Sequence, residues 1–169
     1  MTLYHYIAAN KELPLGSFGQ NPTYKPISEL NPNMSNYVQL KGEKYQKGDQ
    51  LIEVYETEED FNGIYIDKPD PHYEAAVRDK LTHPYIYQLE IILSLRPLFL
   101  FIEKHLSKGD TIEIYSCLND EESKEKDDRL DTVIDLAQMR FGKHIYFKKI
   151  DELIHMFELE DKQYVLVKK

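Results

Sequence analysis

Cysteine is nearly absent: Cys117 is the only one in 169 residues. A lone thiol forms no internal disulfide, so the fold rests on packing, and a reducing compartment suits it. Packing suffices at this length, since a single domain of this size buries roughly 70% of its unfolded surface. Tryptophan is missing, while tyrosine appears 13 times. Tyrosine buries a ring and keeps its hydroxyl wet, which suits ordinary core-rim positions as well as pockets and binding surfaces. Basic excess is also lacking. The net charge of −9 argues against nucleic acid as a partner, because phosphate binding needs a basic face. No run reaches the ~20 apolar residues of a membrane span, since Arg96-Pro97 interrupts the densest stretch. The opening MTLYHYIAAN has neither a basic segment nor a long apolar core, so no secretory signal is expected and the cytoplasm is the expected location.

Metal and phosphate motifs are missing too. The six histidines, His5, His72, His83, His105, His144 and His155, form no His-x3-His pair, and no metal is expected. Asp151 and His155 stand four apart and would share a helix face as a surface pair. The run Asp120, Glu121, Glu122, Glu125, Asp127, Asp128 and Asp131 lacks the glycine and spacing of a calcium loop. Lys124, Lys126 and Arg129 interleave with it, so a solvated loop is expected. Gly16-Ser17-Phe18-Gly19 lacks the flanks of a dinucleotide or phosphate loop. Cys117 has no adjacent base and reads as a buried structural thiol.

What is present centres on residues 84–118. Residues 85–93 are aromatic and β-branched and predict a strand, with Tyr85, Tyr87, Leu89 and Ile91 on one face and Ile86, Gln88, Glu90 and Ile92 on the other. Residues 97–108 predict a helix, with Pro97 in the first turn, Lys104, His105 and Lys108 in the last, and Gly109 just beyond. Residues 111–118 alternate and predict a second strand. The link of about eighteen residues is long enough for a parallel crossover and also permits an antiparallel return.

Outside this unit, short strands are predicted over residues 3–7, 50–55, 64–66, 145–147 and 164–167, and a short helix is an option over 36–44. Asp70-Pro71 opens a helix buried through Tyr73, Ala76, Val77 and Leu81. Leu130, Val133, Ile134, Ala137 and Phe141 fall at helical spacing and predict a helix from Asp128 to about residue 141. A last helix is predicted over 151–159. Residues 10–33, rich in Pro and Gly, form a long irregular segment, either a binding loop or one wrapped over the core. The expected fold is α+β: one domain over residues 1–169, a mixed central β-sheet and about four packed helices.

Two strand motifs carry a resemblance. Leu3-Tyr4-His5-Tyr6-Ile7 followed much later by Gly63-Ile64-Tyr65-Ile66 resembles the start of the ADP-ribosyltransferase superfamily pattern. The resemblance implies a histidine that bonds the ribose of NAD, a tyrosine that stacks on nicotinamide, and a third residue, often glutamate, that polarises the sugar. Carried over, His5 takes the first place and Tyr65 the second, and Glu113, with Glu90 as substitute, is the candidate for the third. An aromatic face would stack the leaving base while a carboxylate stabilises positive charge developing on the ribose.

Two functions follow. The first is an acidic protein-binding domain without catalysis or cofactor, regulatory or inhibitory, meeting a basic-surfaced protein through Glu58, Glu59, Glu121 and Glu122. The alternative is NAD-dependent ADP-ribosyl transfer, or a degenerate NAD-binding relative, through His5, Tyr65 and Glu113. Neither reading involves nucleic acid or a membrane.

Overall fold

The structure is a computed structural model that describes residues 2–29, 38–39 and 51–169. Strands β1 (Leu3–Ala9), β2 (Gly16–Phe18), β3 (Thr23–Pro26), β4 (Val38–Gln39) and β5 (Leu51–Val54) lead to a single helical turn, α1 (Glu58–Phe61). Then come β6 (Gly63–Asp67), α2 (Pro71–Val77), β7 (Tyr85–Ile92), α3 (Arg96–His105) and β8 (Thr111–Leu118). The chain ends with β9 (Thr132–Asp135), β10 (Arg140–Phe141), β11 (Ile145–Tyr146), α4 (Ile150–Met156) and β12 (Gln163–Lys168). Nine strands form one mixed sheet in the order β11-β10-β9-β12-β8-β1-β7-β6-β2, and β3-β5-β4 form a smaller one. With four α-helices among the described residues this is the expected α+β architecture. No helix among the described residues is long and apolar enough to cross a membrane.

The dense central stretch supplies the frame. β7 and β8 each pair antiparallel with β1, which lies between them, so they run parallel to one another. The α3 crossover therefore spans an intervening strand. Pro97 stands in the first turn of α3, and Lys104 and His105 in its last. The helix ends at His105, three residues before the predicted stop, and Gly109 instead turns the chain into β8 at φ +93°. At α2, the Asp70 carboxylate accepts a hydrogen bond from the His72 N–H, as the Asp-Pro pair predicts.

The sheet has an apolar cluster on each face, and the two differ in kind. On the first face, Leu98, Phe99 and Ile102 of α3 and Leu153 of α4 lie on Ile7, Ile64, Leu89, Ile114 and Val165. Each such side chain, wholly buried, contributes about 1.5–3 kcal/mol. On the second face, Val77 and Leu81 cover a smaller group of Tyr6, Ala8, Ile86, Tyr115 and Cys117. Its cover stops short of the β7–β6 end, where Glu90, Tyr65 and Asp67 are exposed.

Three expectations are corrected. The helix over residues 128–141 is absent: a 3-10 turn at Asp128–Leu130 leads into β9, and Arg140–Phe141 is again strand. The β-branched run Thr132-Val133-Ile134 pairs parallel with β12, and that ladder outcompetes the local helical spacing. The segment 10–33 holds two short strands; β2 closes the main sheet against β6. Gly63 permits that approach, since a Cβ there would stand 2.9 Å from the Phe18 carbonyl oxygen. The helix over 36–44 lies mostly outside the described residues, and its described pair, Val38–Gln39, is strand.

Candidate functional site

The sheet register decides which candidate residues can meet. His5 pairs with Leu89, and Leu89 with Ile66, so these three share the first face. Tyr65, next to Ile66, projects from the second face, opposite His5. Glu113 pairs with Ala8, three residues along β1 from His5, and also projects from the second face. Two strands, β1 and β7, separate it from β6. The set His5, Tyr65 and Glu113 is therefore not gathered in one cleft, and exchanging Glu113 for Glu90 does not bring His5 across the sheet.

Glu113 is committed elsewhere. It is 1% exposed, and its carboxylate accepts hydrogen bonds from the Thr82 N–H at 2.9 Å, the Thr82 hydroxyl at 2.6 Å, the His83 N–H at 2.7 Å and the Tyr164 hydroxyl at 2.9 Å. Burial alone would raise its pKa, but these donors outweigh it and hold the carboxyl below its ordinary range. Glu113 thus clamps the turn after α2 to β8 and β12.

Glu90 does meet Tyr65. The two are direct partners across the β6–β7 ladder, and Asp67 lies two residues along β6 on the same face. With Lys68 and Gln88 they line a shallow hollow of about 190 Å³. The Tyr65 ring is 40% exposed, and its hydroxyl stands 3.5 Å from the Asp67 carboxylate, at the limit of a hydrogen bond. An aromatic ring between two carboxylates on an open sheet face is suited to a cation.

The predicted acidic binding residues fare unequally. Glu58 and Glu59 lie in α1, capped by Thr57, directly before β6. Glu59 pairs with Arg96 at 2.5 Å, and Arg96 also reaches Asp151 at 3.1 Å. Glu121 lies between Lys124 at 2.6 Å and Lys162 at 3.1 Å. Glu122 is a correction: it is 3% exposed and accepts a hydrogen bond from the Tyr6 hydroxyl at 3.0 Å, so it anchors the loop from below and meets no partner. Burial, then the Glu122 charge, pushes the Tyr6 hydroxyl well above its ordinary pKa. Lys126 pairs with Asp128 and Asp131, and Arg129 pairs with Asp127, which it holds down to about 2. Four of the loop's acids, Glu121, Asp127, Asp128 and Asp131, are paired with its own Lys124, Lys126 and Arg129, and the loop as a whole stays acidic. Cys117 is buried as predicted, and burial, then Glu122, pushes its thiol up to about 12. No group of His, Cys, Asp and Glu among the described residues is arranged to hold a metal.

One arrangement escaped the sequence reading. His5 Nδ1 stands 2.8 Å from the Ser116 hydroxyl, its partner across the β1–β8 ladder. Ser116 is wholly buried, and His5 lines a groove of about 360 Å³ between the turn after β7 and the end of α4. Desolvation holds the imidazole down to about 4, so it is neutral near pH 7. Its tautomer follows from satisfiability. If Nδ1 carried the proton, the serine's own hydrogen would be buried without an acceptor among the described residues, at about 1–3 kcal/mol. The serine therefore donates to Nδ1, and the ring proton sits on Nε2. Alternation puts His5 with Leu3 and Ile7 on one face of β1, and Ser116 with Ile112 and Ile114 on one face of β8; the pairing of β1 with β8 is what no local signal carries. Comparison with family models, curated proteins and solved structures finds no match.

Proposed function

We propose that the chain is a non-catalytic binding domain that takes a basic segment of a partner protein on the open end of the sheet's second face, in a regulatory or inhibitory role. The observation that carries this reading is Tyr65, exposed between Glu90 and Asp67 on the paired strands β6 and β7. Lys or Arg over the tyrosine ring gains about 0.5–1 kcal/mol at an exposed site. An exposed ion pair adds about 0.2–1 kcal/mol. No single contact suffices, so the partner offers several basic side chains; Glu59, paired with Arg96 of α3, lies toward the other face and takes no part. The net charge of −9 favours such encounters over a Debye length of about 8 Å at physiological salt. The single cysteine suits a cytoplasmic setting, and the reading uses no cofactor.

Fluorescence anisotropy with labelled Lys/Ser and Glu/Ser peptides of equal length tests this. The Lys/Ser peptide is expected to bind, more weakly as salt rises, with Glu90→Lys abolishing and Tyr65→Ala weakening the interaction. Equal binding of the two peptides, or indifference to Glu90→Lys, sinks the reading.

A further inference from the structure

The groove at His5 opens on the opposite face from Tyr65 and plays no part in the reading above. Its floor is the paired ends of β1 and β7, with Leu3 and Ile91; one wall is the turn after β7, with Leu93, and the other is the end of α4, with Ile154, Phe157 and Glu158. At about 360 Å³ it falls within the size of small-molecule sites, and seven of its ten lining residues are apolar, with His5, Ser94 and Glu158 as its polar side chains. We infer that it binds a small uncharged molecule with an apolar body and one hydrogen-bond acceptor, such as an amide or ketone carbonyl, received by the Nε2–H of His5.

Three observations converge on that chemistry. Ser116 takes up Nδ1 and fixes the ring, which leaves a single donor directed by a buried partner. Of the other polar groups, Ser94 accepts at its hydroxyl from the Asn62 amide and the Arg96 N–H and gives its own N–H to the Asn62 carbonyl oxygen, which leaves its O–H as a second, rotatable donor at the rim, and Glu158 offers only a carboxylate. No Lys or Arg lines the groove, and Glu158 repels an anion, so the acceptor it takes is neutral. Finally, the rim carries an unusual cost. The Ser94 N–H bonds to the Ile92 carbonyl at 2.9 Å across Leu93, which sits at φ +66° and is 57% exposed. This is a γ-turn of the rarer, strained hand with leucine rather than glycine at its centre. It holds a leucine side chain at the mouth of an apolar groove, where a ligand would cover it.

The test uses the full wild-type chain with phenylacetamide, phenylacetate and phenethylamine, which share one apolar body and differ in the polar end. Long-range proton–nitrogen correlation spectra of the histidine rings read the site directly. Before ligand, His5 is expected to carry its proton on Nε2. Phenylacetamide is expected to shift that nitrogen; phenylacetate, repelled by Glu158, is expected to bind about tenfold more weakly, and phenethylamine, which offers no acceptor, is expected to leave the nitrogen unshifted whatever its attraction to Glu158. His5→Phe keeps an apolar floor and is expected to cost the amide a similar factor. A proton on Nδ1, no His5 shift at about 10 mM amide, or equal affinity for amide and carboxylate overturns the proposal. None of these outcomes bears on the peptide test at Tyr65.

Discussion

Glu113 and Ile114 are neighbours on β8, both buried, and they project from opposite faces of one sheet. Ile114 joins a continuous apolar cluster under α3 and α4. Glu113 gathers four donors, three from the turn after α2 and one from Tyr164 of β12, whose ring packs on the edge of the smaller second-face cluster. The first face is held by area, which is non-directional and indifferent to pH. The second is held by specific acceptors, Glu113 and Glu122, each directed at named donors. Where apolar area is short, a buried carboxylate can organise a turn, but it ties stability to the protonation state and to the presence of every partner.

The largest effect breaks the first face. Phe99→Ala, at a wholly buried position of α3, is expected to cost about 3–5 kcal/mol by denaturant titration, with little change from neutral to acid pH. Glu113→Gln strikes the second face and is expected to cost about 3 kcal/mol at neutral pH, because donors that converged on a charge meet an amide instead. Its pH dependence separates the two. The folded carboxyl sits below its ordinary value of 4.5, so its contribution is complete above that value and is lost as pH falls through the folded one. Wild type and Glu113→Gln should converge in acid, whereas wild type and Phe99→Ala should stay apart. A constant gap for Glu113→Gln would mean its bonds are matters of shape alone.

His5 sharpens the contrast from the first face, where it is the titrating intruder. Its folded value of about 4 lies below the ordinary 6.5, so the unfolded chain takes up the proton first. Stability is complete above 6.5 and is lost as pH falls toward 4, by about 2 kcal/mol between pH 7 and pH 4.5. His5→Phe should remove that part of the slope while leaving the Glu113 part at lower pH. An unchanged slope would place the His5 ring in water.

How much of this was legible follows the range of each signal. The β7–α3–β8 unit was readable because alternation, Pro97 and the last-turn cations all act within a few residues. The strand at Thr132–Asp135 was not, because its partner is β12 at the far end of the chain, while the local spacing matched a helix. The faces of His5 and Tyr65 were each fixed within their own strands, but their relation depended on β7, which carries the register from one to the other. Glu122 was the least visible. It sits in a run whose composition reads as solvated, and its burial depends on a tyrosine 116 residues away.

That last residue gives the smallest and sharpest test. Asp120 and Glu122 are two apart in the same acidic loop, and replacing either removes one negative charge. If the loop were only solvated charge, Asp120→Asn and Glu122→Ser would each change stability by no more than ~0.5 kcal/mol. Asp120 is exposed and sits at φ +67°, a conformation asparagine also tolerates, so that small figure is expected for it. Glu122→Ser withdraws the acceptor from the buried Tyr6 hydroxyl and is expected to cost about 1–3 kcal/mol. The excess belongs to the pair, which a double-mutant cycle with Tyr6→Phe isolates. Once Tyr6 has lost its hydroxyl, removing Glu122 should cost about 1 kcal/mol less than in wild type. No coupling between the two would show that the loop rests on the sheet without being anchored to it.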